Sequence, residues 1–559
     1  MDGDPCELFI GLISPVGANL DLLTEILTEQ LLEYGFKVIP IRLSALIDDI
    51  EGFNNLPKSF EDQRIAAYMD AGNKIRKKLS RNDALAAIAL SEIRDKREQQ
   101  TKDEDKPAPR TAYILRSMKR SEEVDFLRSV YGRSFWLAAA YSPRDKRVDD
   151  LAKQITNSRG GLDNQVNRAA AESLVSTDEQ ELGNAFGQNV RKTFSKADVF
   201  FNVGDEDKLK AAVERFLKTM LRFPYHTPVK DEYGMFHAQA AALRSASLGR
   251  QVGAVIASEE GDVISVGTNE VPKFGGGLYW EGDPIDHRDF TKRVESNDEI
   301  KHKLLADIFK NLVNAKWLNP AKNFSDIGAL SDEIDEVLKD AQVMEIIEFY
   351  RAVHAEMAAI VDAARRGVSV VNATIYCTTF PCHECARHII AAGIKRVVYI
   401  EPYPKSRAIQ LHEDEISVDK LAKEEKKVRF EPFVGIAPRI FIEMFSMVPR
   451  KDKKGHILPW DGKKAKPKMS ESPYSYIALE QSELARVKRA MAEAGLTPPV
   501  TPKEKGKINP TDLSSMVAES RGQEKPPVRL EKLVKSSKES KSFKQSKKDI
   551  PKRKRSKKR

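Results

Sequence analysis

A chain of 559 residues is too long for one hydrophobic core and implies several domains. Its four cysteines exclude a disulfide-stapled secreted scaffold. No secretory leader and no apolar run of about 20 residues is visible, so a cytoplasmic protein with no membrane partner is expected. The net charge of +9 is unevenly placed, because residues 501–559 hold 20 Lys or Arg against 7 Asp or Glu while the remainder is slightly acidic.

The N-terminal third alternates between strand and helix patterns. Residues 9–13 read as an apolar strand, the stretch Gly11 to Asn19 as a strand end and glycine-containing turn, residues 20–34 as an amphipathic helix and residues 37–41 as a second strand. Further strands are expected at 112–115, 135–140 and 197–203, with helices at 121–131, 184–193 and 208–221. This alternation predicts a parallel sheet covered on both faces. The opening strand, turn and helix resemble a P-loop kinase, which makes Gly11 and Gly17 candidate phosphate-binding positions. The turn departs from that pattern, since Gly17-Ala18-Asn19 lacks the lysine for the phosphates and the hydroxyl for magnesium. Phosphoryl transfer is therefore not expected, and nucleotide binding without catalysis stands beside a purely regulatory domain. Pro143 to Arg147 reads as a charged loop, solvated or in contact with phosphates.

The chemistry is concentrated farther on, in His354-Ala355-Glu356 and Pro381-Cys382-His383-Glu384-Cys385. One imidazole and two thiolates supply three protein ligands to Zn²⁺ and leave the fourth tetrahedral position open, as a catalytic site requires. Cys382 and Cys385 stand one helical turn apart, and a helix N-terminus after Pro381 favours thiolate. His354, Cys382 and Cys385 are thus the expected zinc ligands. Glu356, not itself a ligand, is the expected catalytic proton carrier. A structural zinc site with Cys377 as fourth ligand, and a redox Cys-x-x-Cys, are the competing readings.

Around these motifs the pattern predicts a helix at 236–248, strands at 252–257 and 263–267, a helix at 355–366, a strand at 373–377, a helix at 383–392 and a strand at 396–400. That order is the one of the cytidine deaminase-like α/β/α fold. Gln251 to Ile256 and Gly267 to Pro272, followed by the zinc motifs, resemble the deoxycytidylate deaminase group. The resemblance implies that Asn269 holds the substrate sugar; the residue alone reads as a turn residue. An insertion between Asn269 and His354 includes Gly275-Gly276-Gly277-Leu278-Tyr279-Trp280, whose aromatics either cover the base or pack locally.

A degenerate P-loop kinase-like domain (1–222) joined to a zinc-dependent deaminase domain (223–465) resembles the bacterial anti-phage dCTP deaminases. The resemblance also rests on Tyr399 to Ser406. It implies hydrolysis of dCTP and dCMP to dUTP and dUMP with release of ammonia, depleting deoxycytidine nucleotides during infection. It further implies control by an inhibitory noncoding RNA in some members, and a homo-oligomer is expected. Residues 466–559 read as a basic, largely disordered tail with a helical segment at 475–494, suited to RNA phosphates or to solubility. A nucleic-acid editing deaminase, a housekeeping dCMP deaminase and a noncatalytic sensor are the alternative readings.

Overall fold

The structure, a computed structural model, describes residues 6–161, 164–179, 181, 184–293, 295–318, 336–338, 341–400, 406–418 and 426–496. It is mixed α/β, with two six-stranded sheets inside one compact unit spanning Met1–Thr501. Of the stretch 466–559 expected to be a largely disordered tail, residues 466–496 are described and carry a helix with a buried face, while 497–559, and residues 401–405 of the Tyr399 to Ser406 motif, lie outside the described residues. No helix among the described residues is long and apolar enough to cross a membrane.

The first sheet contains β1 (Glu7–Ile13), β2 (Lys37–Arg42), β3 (Thr111–Met118), β4 (Phe135–Tyr141) and β5 (Val199–Asn202), all parallel in the order β5-β4-β1-β3-β2. The central strands β1 and β4 are buried throughout on both faces, whereas β2, at the sheet edge, is largely exposed or half-buried. Helix α1 (Leu20–Glu33) follows β1, and α2 (Glu61–Leu79) and α3 (Ala84–Thr101) lie between β2 and β3. Two expectations are corrected here. Residues 184–193 are helical only in the short Val190–Phe194 turn. The charged run after Pro143 opens the helix Arg144–Ser158, and Arg147 is 2% exposed, spent on the carbonyls of Ser142 and Val16 and on Glu179.

The second sheet is built from β6 (Gly253–Ala257), β7 (Val263–Thr268), β8 (Thr374–Cys377), β9 (Arg396–Tyr399), β10 (Ile416–Val418) and β11 (Val428–Pro432), in the order β10-β11-β9-β8-β6-β7. Helix α4 (Lys230–Ala242) begins six residues earlier than its expected position, with Glu232 bonding back to the Val229 amide. It covers one face of the sheet, and α5 (Ala355–Arg366) covers the other. Gly253 and Gly267 make both contacts possible: a Cβ there would stand 1.9 Å from the carbonyl oxygens of Ala238 and Ala355 respectively. Only glycine admits helices so close to the strands. Helix α6 (His383–Ala391) completes the layer beside α5.

After β11 the chain returns to the first sheet, where β12 (Gly435–Ile436) pairs antiparallel with β5. Phe433 meets Phe200 edge-on at 5.7 Å, and one apolar core contains Phe9, Tyr113 and Phe200 together with Met235, Val255 and Tyr376. The partition of the sequence at 222 and 465 therefore leaves out a core shared by both sheets and a crossing back at 435.

Helix α7 (Pro473–Glu493) docks on the first sheet through a buried ionic cluster. The Arg97 guanidinium lies 2.9 Å from Glu7 and 2.6 Å from Glu480, and Tyr476 donates to Glu7 at 2.7 Å. Arg97 and Glu480 are fully buried and Glu7 is nearly so. Removing one partner of a buried pair leaves an uncompensated charge, at a cost of about 3–5 kcal/mol. Arg97→Met is thus expected to lower the urea midpoint clearly, and an unchanged midpoint would show that this cluster does not hold α7.

Candidate metal centre

His354 is the N-cap of α5 and Cys382 the N-cap of α6, so both ligand groups enter from helix starts that the sheet holds side by side. The Cys382 Sγ accepts the Cys385 amide at 3.4 Å. His354 Nδ1 lies 3.2 Å from Cys382 Sγ and 3.4 Å from Cys385 Sγ. The three donor atoms all fall within 4.8 Å of one another. A tetrahedral ion bound at about 2.0–2.3 Å sets its ligand atoms roughly 3.5 Å apart, so this trio fits zinc.

The electrostatics separate the two thiols, and the hydrogen bond to Cys382 followed by burial pushes Cys385 well up. Contacts from Cys385 and then His354 hold the Cys382 thiol down to about 4. The hydrogen bond to Cys382 raises His354, and burial raises Glu356, with the Cys382 charge adding to it. Glu356 is 3% exposed and its Oε2 stands 3.5 Å from Cys385 Sγ, close beside the donor set.

Cys377 lies at the end of β8, fully buried, and burial pushes its thiol well up. It does not join the donor cluster. Among the described residues no fourth donor joins the trio, so the four-ligand structural reading lacks the ligand it named. Cys377→Ala is expected to leave zinc content unchanged at a stability cost of about 1 kcal/mol. Metal analysis of the purified variant checks this, and zinc loss would restore Cys377 as a ligand.

Asn269 follows β7, and the bridge between Glu270 and Val353 brings its turn alongside the entry to His354. Its Oδ1 accepts from the Val252 amide at 2.7 Å and its Nδ2 donates to the Arg250 carbonyl at 2.6 Å. Those bonds use one acceptor and one donor site, leaving one of each. Gly17 lies in the turn after β1, but Gly11 sits mid-strand, where a Cβ would stand 2.6 Å from Met118 Sδ and 2.7 Å from Phe135. Gly11 thus serves packing and does not reach the turn.

Trp280 is stacked by the Arg244 guanidinium at 3.5 Å and Tyr279 stands edge-on to His287. Both aromatics are engaged in local packing. What the motifs did not announce is how the insertion ties itself to the segment that leads into His354. Asn297, fully buried, donates to the Ile346 carbonyl at 2.9 Å and accepts from the Phe349 amide at 3.3 Å. Arg351 pairs with Asp289 at 2.7 Å. No local pattern marks these residues, because their partners are 49 to 62 positions away.

Helices cover both faces of a mixed sheet, and a His/Cys/Cys donor trio that could hold a metal ion sits at two helix starts. Residues 228–401 match the family described as the cytidine and deoxycytidylate deaminase zinc-binding region, so this part of the chain is deoxycytidylate deaminase-like. The chain is 49% identical to a deoxycytidylate deaminase of Enterobacteria phage T2 over 55 residues, 10% of this chain and 29% of that protein. It is 25% identical to the Pongo abelii deoxycytidylate deaminase over 224 residues, 40% of this chain and 90% of that one. A crystal structure of the cyanophage S-TIM5 dCMP deaminase with dCMP and dUMP is 17% identical, with a TM-score of 0.21, over 37% of this chain and 100% of that chain. The phage T2 protein and its phage T4 counterpart are spanned over less than a third of their own length.

Proposed function

We propose that this chain is a zinc-dependent deaminase of deoxycytidine nucleotides, converting the cytosine ring to uracil with release of ammonia. The observation that carries this reading is the buried Glu356 carboxylate beside three donors, with no fourth protein donor in the group among the described residues. His354, Cys382 and Cys385 would hold the ion. When bound, zinc supplies the Lewis acidity that makes water a nucleophile near neutral pH. Glu356 takes the proton of the attacking water as oxygen bonds to C4 and passes it to ring N3. It then carries the remaining hydroxyl proton to the amino group, which leaves as ammonia as the C4–N bond breaks and the C4 carbonyl forms. Asn269 receives the sugar hydroxyl with its remaining donor and acceptor.

Relatives named deoxycytidylate deaminase support dCMP as a substrate. The resemblance of the two-part arrangement to anti-phage dCTP deaminases supports dCTP as a second substrate and nucleotide depletion during infection as the role. An inhibitory RNA, a homo-oligomer and a cytoplasmic setting belong to the same reading. Purified protein is incubated with dCMP, dCTP, CTP and a cytosine-containing oligonucleotide, with ammonia and uracil products measured. Turnover of the free deoxynucleotides alone is expected; turnover of the oligonucleotide alone would favour an editing enzyme. Cells carrying the wild-type chain should restrict phage and cells carrying Glu356→Ala should not. Equal restriction by both would remove the defence role from the deaminase.

A further inference from the structure

The loop between α4 and β6, residues 243–252, meets the turn after β7 beside the entry to His354. Asn269 supplies three of the bonds that join them: its side chain accepts from Val252 and donates to Arg250, and its own amide donates to the Val252 carbonyl at 3.1 Å. Ser245, 5% exposed, donates from Oγ to the Asn269 carbonyl at 2.8 Å. The same Oγ accepts the Ser247 amide at 3.2 Å, and the Gln251 side chain donates to the Ser245 carbonyl at 2.8 Å, so the loop is also knit within itself. The direction in which Asn269 presents its amide therefore depends on where this loop is held.

The loop is held by a buried carboxylate. Glu270 is 1% exposed, and both of its carboxylate oxygens are engaged: one accepts the Ala246 amide at 2.8 Å and the other the Val271 amide at 2.9 Å. Its backbone carbonyl accepts the Val353 amide at 3.0 Å, one residue before His354. One residue thus touches the loop, the turn and the segment that leads into the metal centre.

Burying a carboxylate is unfavourable unless hydrogen bonds compensate for its lost hydration, and an apolar side chain would fill the same space without that penalty. An apolar side chain could not, however, take hold of the Ala246 amide, 24 positions away in the chain. The geometry also selects a carboxylate over a carboxamide. Two acceptor oxygens on one group serve two N–H donors, whereas a glutamine has one acceptor and would turn its own N–H₂ toward the second donor.

We propose that Glu270 is a positioning residue for the deoxyribose of the substrate. By holding the Ala246 amide it fixes the loop against the turn, and the loop fixes the Asn269 side chain with its spare donor and acceptor toward the sugar. This role rests on the reading of the chain as a deoxycytidine nucleotide deaminase with Asn269 at the sugar. Glu270 acts through Asn269, outside the donor trio.

A deoxynucleoside monophosphate has one free sugar hydroxyl, so turnover of dCMP by the full chain is compared with turnover of dideoxycytidine monophosphate, which lacks it. In the wild type the lost hydrogen bond should lower kcat/KM about 10-fold. Glu270→Gln should raise KM for dCMP about 10-fold and leave kcat within about 3-fold, because the groups at the reacting carbon are untouched. Its preference for dCMP over the dideoxy compound should shrink to about 2-fold, a sign that the sugar hydroxyl no longer finds an oriented partner. Asn269→Ala should lose the same preference, and adding Glu270→Gln to it should change little, as expected of two residues acting along one path.

A merely structural role would lower the melting temperature or the zinc content and leave the preference intact, so both are measured on each variant. Ser245→Ala cuts the neighbouring bond to the Asn269 carbonyl without disturbing the buried charge, and it should reduce the preference in the same direction. A folded Glu270→Gln that keeps the full preference would overturn the role, as would full preference in Ser245→Ala where Glu270→Gln fails to fold. A wild type that turns over dCMP without preferring it to the dideoxy compound would remove Asn269 from the sugar and this role with it. A wild type inactive on both dCMP and dCTP would instead refute the deaminase reading on which the role rests.

Discussion

Glu356→Ala is expected to abolish nearly all deamination, lowering kcat about 10³-fold, while the protein keeps its zinc. A positioned general acid–base group is worth about 10²–10⁴-fold, and the proposed reaction uses this one carboxylate for both proton transfers. Glu356 lies beside the donor trio without belonging to it, so the coordination shell survives the substitution. Its carboxylate is buried and its burial raises its proton affinity, so replacing it by alanine also removes a desolvation penalty. Stability should therefore hold or rise while activity collapses. Metal analysis and turnover measured on the same preparation decide the matter; full zinc with retained turnover would assign the proton transfers elsewhere.

Cys385→Ala should act in the opposite order, through the metal first. Perturbing groups that merely orient a ligand costs about 10–100-fold in metal affinity, and loss of a thiolate ligand should exceed that. Cys385 is fully buried at the start of α6, so an unfilled site there also loosens the contact between α6 and α5. A ligand present at about 1,000 times its dissociation constant stabilises the folded state by about 4 kcal/mol, and this variant forfeits that contribution. The wild-type chain should melt at a lower temperature in the presence of a chelator, and Cys385→Ala should melt low with or without it. A variant that retains one zinc per chain would exclude Cys385 from the coordination shell.

The legible parts of this protein were those whose chemistry is local. His354 and Glu356 are two residues apart, Cys382 and Cys385 three apart, and each pair sits at the start of its own helix, so spacing alone conveys ligand type and direction. The apolar strands were legible for the same reason, since β1, β4 and β6 are buried along their whole length and, apart from Glu7 at the start of β1, are made of apolar residues and glycine. Where the residues around a helix end did not declare its limits, as in Lys230–Ala242, the pattern placed the element several residues late. The run after Pro143 looked solvated because charge usually marks a surface, yet Arg147 is buried by partners at positions 16 and 179 that its neighbours do not reveal.

By itself the sequence determined which His/Cys/Cys trio could hold a metal, the carboxylate beside it, the alternation that makes a parallel sheet and the basic character of the last 59 residues. The tertiary structure alone decided that Cys377 stays out of the donor cluster, that Gly11 packs a strand, and that the Glu270 carboxylate reaches the Ala246 amide across 24 positions of chain. It also decided that α7 is clasped to the first sheet by Arg97 and Glu480, which lie 383 residues apart. The physical reason is the range of the forces that matter. Helix starts, turns and ligand spacing are set by bonds within a few residues, whereas burial, charge pairing and cavity walls depend on which distant segments share a face.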